Sequence, residues 1–213
     1  MNTISGFEYS SFRDIHPISR EYYKLEIRRF LRPLCLEYPS FMSWYNNLYN
    51  VDGSLKKERE IKLCFYERTI VGLAILKKDN HEKKICTLRV DKRFQRNGIG
   101  RNLIKQSIEW LEEEKPLITV RKSKAPQFDK LFTSFGFTLE ESKPMYYSLF
   151  SAEQVFNGEL PEKNKLWINK IEMADLDDII RKYIREGQRF DMDRVIDAFI
   201  DRCKRRENLI LQS

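Results

Sequence analysis

The residues with the clearest chemical potential form the segment 95–101, Gln-Arg-Asn-Gly-Ile-Gly-Arg, between a predicted strand and a predicted amphipathic helix. The first N–H groups of a helix have no partner within the helix, and the helix dipole makes this end partly positive. Gly98 and Gly100 place no side chain between these N–H groups and a ligand, and Arg96 and Arg101 add positive charge. The segment therefore predicts a binding site for a pyrophosphate.

Two other phosphate-binding motifs do not occur in the sequence. A P-loop requires G-x-x-x-x-G-K-[ST], which the chain lacks. The dinucleotide-binding pattern G-x-G-x-x-G would need a glycine where the chain has Leu103. Taken on its own, the segment could also be a loop whose glycines only turn the chain into a helix.

The hydropathy pattern places this segment within an α/β domain. Alternating and apolar runs predict three strands joined by short turns, an antiparallel meander, over residues 61–66, 69–76 and 84–90. An amphipathic helix follows from about Gly98 to Glu113. Further along the chain, the pattern predicts a strand at 117–120, a short helix at 125–135, and two β-type segments at 137–140 and 145–150.

Composition and charge narrow the class of protein. The chain has 213 residues, 41% hydrophobic and 33% charged, which suits one folded domain with a small appendage. No apolar run is long enough for a membrane span, and the first residues lack a signal-peptide pattern, so we expect a cytoplasmic protein without a membrane partner. The formal net charge of +7 suits a partner that carries phosphates, either a cofactor or a nucleic acid.

The cysteines and histidines do not predict a metal site. Four cysteines, Cys35, Cys64, Cys86 and Cys203, are far apart and form no C-x-x-C pair, so we expect reduced, buried thiols. Two histidines cannot supply a metal site unaided.

A change in composition divides the chain into residues 1–160 and a C-terminal appendage, 161–213. Two amphipathic helices separated near Gly187 are predicted in the appendage. Residues 161–213 hold 12 basic and 11 acidic residues, so most of the basic excess lies in residues 1–160. The helices have wide apolar stripes and a nearly balanced charge. These features favour docking on the main domain or on a separate partner, or a homodimer through the helices, over RNA binding.

The glycine segment resembles the signature of the GCN5-related N-acetyltransferase (GNAT) superfamily, [RQ]-x-x-G-x-[GA], which residues 95–100 match. Val90 and Phe94 occupy its usual apolar and aromatic positions. Leu131-Phe132 followed by Gly136-Phe137 resembles the family's later leucine-tyrosine and glycine-phenylalanine element. The resemblance covers about residues 5–158, and the chain is identified as a bacterial-type member with an extra C-terminal helical segment.

The resemblance implies a mixed, mostly antiparallel sheet flanked by helices, in which strands four and five splay apart and acetyl-CoA lies in the gap. It implies that the Val90 N–H stabilises the oxyanion formed at the thioester. Backbone groups that would pair with pantetheine belong to Leu88, Arg89 and Val90. Residues that would hold the pyrophosphate are Gln95, Arg96, Asn97, Gly98, Ile99, Gly100 and Arg101.

The resemblance is weaker at the catalytic positions. The family often uses a tyrosine to protonate the leaving sulfur, and the matching residue here is Phe132. Tyr146 or Tyr147 could substitute for it, although both could also be core aromatics; we choose Tyr147. Glu82, before the fourth strand, is the best carboxylate candidate for the base, with a solvated hairpin residue as the alternative.

These features predict an N-acetyltransferase that transfers an acetyl group from acetyl-CoA to an unidentified amine by direct attack in a ternary complex. Without an obvious base, the site favours an amine of low pKa, such as an α-amine, on a small molecule or a protein. A non-catalytic acyl-CoA-binding module is one alternative. A toxin-like acetyltransferase that acts on aminoacyl-tRNA is another, but no arginine-rich strip favours a nucleic-acid partner.

Overall fold

A seven-stranded sheet organises the chain in the computed structural model, which describes residues 6–38, 41–144, 146–147, 151–161, 178 and 181–182. Its spatial order is β1-β2-β3-β4-β5-β7-β6, and all neighbours are antiparallel except the parallel pair β4 and β5. The strands are β1 Phe7–Ser11, β2 Arg59–Tyr66, β3 Thr69–Lys78, β4 Lys83–Val90, β5 Leu117–Arg121, β6 Leu139–Pro144 and β7 Ala152–Phe156. This confirms the mixed, mostly antiparallel α/β fold.

In the described residues up to Pro161, four α-helices flank the sheet: α1 Pro17–Leu31, α2 Phe41–Asn46, α3 Ile99–Leu111 and α4 Asp129–Thr133. Within the described ranges, none is long and apolar enough to cross a membrane. All but three residues of the predicted C-terminal helical pair, as well as Cys203, lie outside the described residues.

Two hydrophobic cores occupy the opposite faces of the sheet. Helices α1 and α2 cover one face, where Ile27 and Leu31 pack with Leu63, Leu73 and other residues of β2 and β3. Helix α3 covers the other face, because its apolar stripe, Ile99, Leu103, Ile104 and Leu111, is buried against the sheet and α4. The sheet thus separates an α1/α2 face from an α3/α4 face.

Strands β4 and β5 pair only at their beginnings. The register joins Lys84 to Leu117 and Ile85 to Ile118, and no further pair between these strands is formed in the described chain. Immediately afterwards β4 contains a bulge, since the pairing with β3 shifts so that Cys86 is the extra residue. A bulge bends its strand. Beyond it β4 stays with β3, and a split opens between β4 and β5.

The last two strands differ from the prediction. A strand was expected at 145–150, but Tyr146 and Tyr147 lie in bends, and residues 145 and 148–150 are outside the described part. The strand that inserts between β5 and β6 is β7, Ala152–Phe156, whose Val155 is fully buried. Tyr147 therefore lies in the connection between β6 and β7 and not in a strand.

Candidate functional site

A short, internally bonded turn follows β4 at the wide end of the split. The Asp91 carboxylate accepts the Arg93 N–H at 2.9 Å and starts a 3₁₀ turn over Lys92–Phe94. The Gln95 side-chain amide donates to the Val90 carbonyl at 3.3 Å, and the Asn97 amide donates to the Phe94 carbonyl at 3.2 Å. These bonds fix the path of the chain from β4 into α3.

Helix α3 begins with free backbone donors that face away from its own body. Its first bond runs from the Asn102 N–H to the Gly98 carbonyl at 3.0 Å, so the N–H groups of residues 99–101 precede the helical ladder and have no backbone acceptor in the described chain. Gly98 has a φ of +77°, and a Cβ there would meet no atom within 4 Å. The turn therefore presents a row of N–H groups to an open space that can hold an anion.

A glycine in β3 lets the start of α3 sit close to the sheet. A Cβ at Gly72 on β3 would lie only 2.8 Å from a methyl of Ile99, which real contacts do not allow. Sequence reasoning missed Gly72, although a lone glycine inside an apolar strand is a known sign of a close approach.

The N–H groups along β4 point alternately to β3 and to the split, and this determines which of them line the split. The Asp91 N–H donates to the Val71 carbonyl of β3 at 2.8 Å. Because successive N–H groups of a strand point in opposite directions, those of Val90 and Leu88 point to the split, while the N–H of Arg89 points to β3. Two of the three residues predicted to pair with pantetheine thus present an N–H there.

Glu82 lies at the narrow end of the split, just before β4. Its carboxylate accepts a hydrogen bond from the Lys77 ammonium at 2.9 Å and lies 3.5 Å from the Lys84 ammonium. Burial would raise the pKa of Glu82, but Lys84 and Lys77 outweigh it and hold that pKa below its usual value. A carboxylate with a lowered pKa accepts protons less readily.

Lys84 connects the two residues predicted to be catalytic. It is buried on the α1/α2 face, and its ammonium lies 3.4 Å from the Tyr147 hydroxyl as well as beside Glu82. Burial raises the pKa of Tyr147, although Lys84 acts in the opposite direction, so the phenol remains protonated at neutral pH. Sequence reasoning missed Lys84, whose signal is a lysine at an inward position of an alternating strand.

Phe132, at the family's tyrosine position, is part of the core. It is 2% exposed, and its ring packs against those of Phe128, Phe137 and Phe156 at centroid distances of 5.2, 5.5 and 4.8 Å. Ala125, just before α4, is also buried. Neither side chain brings a proton donor to the split.

The sequence matches a family model described as an acetyltransferase (GNAT) domain over residues 41–146. No curated protein matches the sequence. The matched region begins with α2 and ends just after β6, so it includes the split and the phosphate turn.

Solved structures share the fold at low sequence identity. A GNAT-family protein from Desulfovibrio desulfuricans is 14% identical, with a TM-score of 0.54 over 70% of this chain and 96% of that one. The ribosomal-protein-S18-alanine N-acetyltransferase from Escherichia coli is 17% identical, with a TM-score of 0.51 over 74% of this chain and 99% of that one. Ard1 from Thermoplasma volcanium is 18% identical, with a TM-score of 0.51 over 73% and 99% of the two chains. These structures share the fold, and the family match over the split sheet and the glycine turn shows that the chain belongs to the GCN5-related N-acetyltransferase superfamily.

Proposed function

We propose that the protein is an N-acetyltransferase that moves the acetyl group of acetyl-CoA to an amine by direct attack in a ternary complex. The observation that carries the proposal is the split between β4 and β5, with the glycine turn at its wide end. Residues 1–160 form the catalytic domain in this proposal, and residues 161–213 form a helical appendage that docks on it or on a second copy.

The turn from Gln95 to Arg101 holds the pyrophosphate of acetyl-CoA. The N–H groups at the start of α3 are hydrogen-bond donors, and the positive end of the helix dipole adds to them. The Gly98 position has room for phosphate oxygens, because a Cβ there would meet nothing within 4 Å. Arg96 and Arg101 supply charge. The residues present thus fit a diphosphate.

The unpaired side of β4 holds the pantetheine arm and the thioester. The N–H groups of Leu88 and Val90 point into the split, where an extended ligand can pair with them as an extra strand would. The Val90 N–H, or that of Leu88, donates to the thioester oxygen and stabilises the negative charge that develops there. The Arg89 side chain lies on the α1/α2 face.

Tyr147 is the proposed proton donor to the leaving thiolate. Its raised pKa keeps the hydroxyl protonated, and the Lys84 ammonium 3.4 Å away stabilises the phenolate that proton transfer leaves. Glu82 then acts through Lys84, holding its ammonium in place, in addition to being the carboxylate candidate for the base. Glu82 is the one carboxylate predicted as a base, and its pKa is lowered. We therefore expect the acceptor amine to enter the site largely in its neutral form.

An acceptor that arrives neutral favours an amine of low pKa. An α-amine with a pKa near 8 is neutral in about one molecule in ten at pH 7, whereas a lysine amine with a pKa near 10.4 is neutral in about one in 2,500. We therefore propose an α-amine, or another weakly basic amine, as the substrate class.

The test is a transfer assay with radiolabelled acetyl-CoA and a panel that pairs α-amines with lysine side-chain amines and polyamines. We expect labelled product with at least one α-amine and slower transfer to the more basic amines. Tight binding of acetyl-CoA without transfer to any amine would favour the non-catalytic acyl-CoA-binding module. Label on aminoacyl-tRNA, together with salt-sensitive RNA binding, would favour the toxin-like activity.

A further inference from the structure

Each of the two splayed strands carries an arginine to the same face of the sheet. Arg89 on β4 pairs in register with Leu73, whose side chain belongs to the α1/α2 core. Arg121 on β5 directly follows Val120, which faces the α3/α4 core, so alternation places Arg121 on the α1/α2 face. Cys86 is the extra residue of the bulge, so Arg89 and Arg121 each lie three ladder positions, about 10 Å at about 3.3 Å per residue, beyond the last β4–β5 pair. They flank the open part of the split at similar depth.

Both guanidinium groups approach one short segment of chain. The Arg89 guanidinium lies 5.6 Å from the ring centre of Phe30 at the end of α1, and the charge of Glu37 acts on it. Arg121 acts on the next residue, Tyr38: burial raises the pKa of Tyr38, and the positive charge of Arg121 opposes that rise. Since Glu37 and Tyr38 are consecutive, the two arginines converge on the same region.

Neither guanidinium has a hydrogen bond or an ion pair in the part of the chain that the structure describes. The neighbouring carboxylates are already engaged, because Glu37 lies 3.5 Å from the Lys124 ammonium and Asp91 bonds Arg93 at 2.8 Å. Both side chains are half-buried, so their N–H donors lose hydration, and the Phe30 ring beside Arg89 offsets that loss only in part.

The charge of this face therefore favours an anion. Three cationic side chains, those of Arg89, Arg121 and Lys84, lie on the α1/α2 face around the split. Three carboxylates lie near them: Glu82 is 3.5 Å from the Lys84 ammonium, Glu37 is 3.5 Å from the Lys124 ammonium, and the buried Glu153 is the register partner of Arg121 on β7. With Lys124, four cationic side chains lie beside three carboxylates, so this side of the split keeps a small excess of positive charge.

We propose that Arg89 and Arg121 bind an oxyanion group, a carboxylate or a phosphate, that the acceptor carries close to its amine. The proposal rests on the proposed function and narrows its substrate class to anionic amines. Planar guanidinium groups suit both oxyanions, since each can donate two parallel hydrogen bonds. Polyamines and lysine side chains in basic segments carry no such group and are disfavoured by the same charges.

The experiment uses the full chain saturated with CoA, so that the phosphate turn is filled. Calorimetry at constant ionic strength measures the binding of malonate and of inorganic phosphate to the wild type and to Arg89→Gln, Arg121→Gln and Lys115→Gln. Lys115 is an exposed lysine between α3 and β5 and controls for the loss of one charge. Melting temperature and CoA affinity, measured for each variant, show that it is folded.

We expect at least one of the two anions to bind, and each arginine substitution to weaken that binding at least tenfold while Lys115→Gln does not. The anion that binds identifies the acceptor group as carboxylate or phosphate. Binding of neither anion, or binding that survives both arginine substitutions, would overturn the proposal. Failure of CoA itself to bind would refute the proposed function, and malonate titration of the CoA-free protein would still test the arginines.

Discussion

The Lys84 ammonium donates to the Tyr147 hydroxyl at 3.4 Å, across 63 residues of sequence. Lys84 lies at the start of β4, where the strand still pairs with β5, and Tyr147 lies in the connection that precedes β7. The bond therefore ties together two elements on either side of β5 at the root of the split. It also joins Tyr147 to Glu82, which shares the same ammonium.

This arrangement predicts a kinetic role for the Tyr147 hydroxyl. Tyr147→Phe should lower kcat by roughly 10²- to 10⁴-fold, the usual contribution of a general acid, and leave acetyl-CoA affinity unchanged. Steady-state kinetics and calorimetry measure the two effects separately. Tyr146→Phe is the matched control, because the Tyr146 hydroxyl donates to the Pro161 carbonyl. Equal kcat in the wild type and Tyr147→Phe would remove Tyr147 from the mechanism.

Phe132 is expected to stabilise the fold without a role in proton transfer. Its ring is 2% exposed and contacts three other aromatic rings, so Phe132→Ala should lower the free energy of unfolding by about 3–5 kcal/mol. Denaturant unfolding gives this value, and acetyl-CoA affinity measured below the melting temperature should be largely retained. An intact stability combined with lost turnover would instead give Phe132 a direct role.

Asp79 should stabilise the protein at neutral pH but not in strong acid. The Lys77 ammonium, with the backbone N–H groups of His81 and Glu82, lowers the pKa of Asp79 from 3.8 to about 2. A carboxyl whose pKa is lower in the folded protein stabilises the fold at any pH above its pKa in the unfolded chain. This stabilisation is lost as the pH falls through its pKa in the folded protein. The melting temperature of Asp79→Asn should therefore lie below that of the wild type at pH 7, and the difference should disappear near pH 2. A difference that is constant with pH would contradict this.

The C-terminal appendage should be dispensable for cofactor binding but not for assembly. A fragment that ends at Pro161 keeps Leu160, which is 3% exposed and packs with Leu117 and Val155, and keeps the Tyr146 bond to Pro161. We expect this fragment to bind acetyl-CoA as the full chain does, and to differ in oligomeric state or solubility because the predicted apolar stripes are gone. Light scattering after size exclusion measures this. The prediction would be wrong if the fragment and the full chain were both monomeric, equally soluble and equally stable.

Local patterns were sufficient to predict the meander and the glycine turn. The strands from Arg59 to Val90 alternate or are apolar throughout, and α3 has a regular apolar stripe, so short-range rules locate both and the turn between them. The resemblance added the splay of β4 and β5. The bulge at Cys86 that produces it leaves no mark in composition.

Long-range packing explains what the sequence did not predict. The aromatic stretch 145–150 has high β-propensity, yet the strand forms at Ala152–Phe156, where Val155 can be buried beside β5 despite the neighbouring Glu153. The burial of Lys84 depends on Tyr147, which is distant in sequence. Arg89 was predicted for its backbone alone, and a joint role of its side chain with Arg121 was not predicted, since it depends on the register of separate strands.

The proposed phosphate site is tested most directly by measuring acetyl-CoA binding by calorimetry in the wild type, Gly98→Asp and Gly136→Asp. Both glycines have a positive φ, +77° and +65°, and a Cβ at either would meet nothing within 4 Å, so the two substitutions impose similar backbone strain. Only Gly98→Asp places a negative side chain where the phosphates are proposed to sit. We predict that the wild type and Gly136→Asp bind acetyl-CoA, and that Gly98→Asp loses at least a hundredfold in affinity while it remains folded. Equal affinity in all three proteins, or no binding to the wild type, would show that the turn does not hold the phosphates of acetyl-CoA.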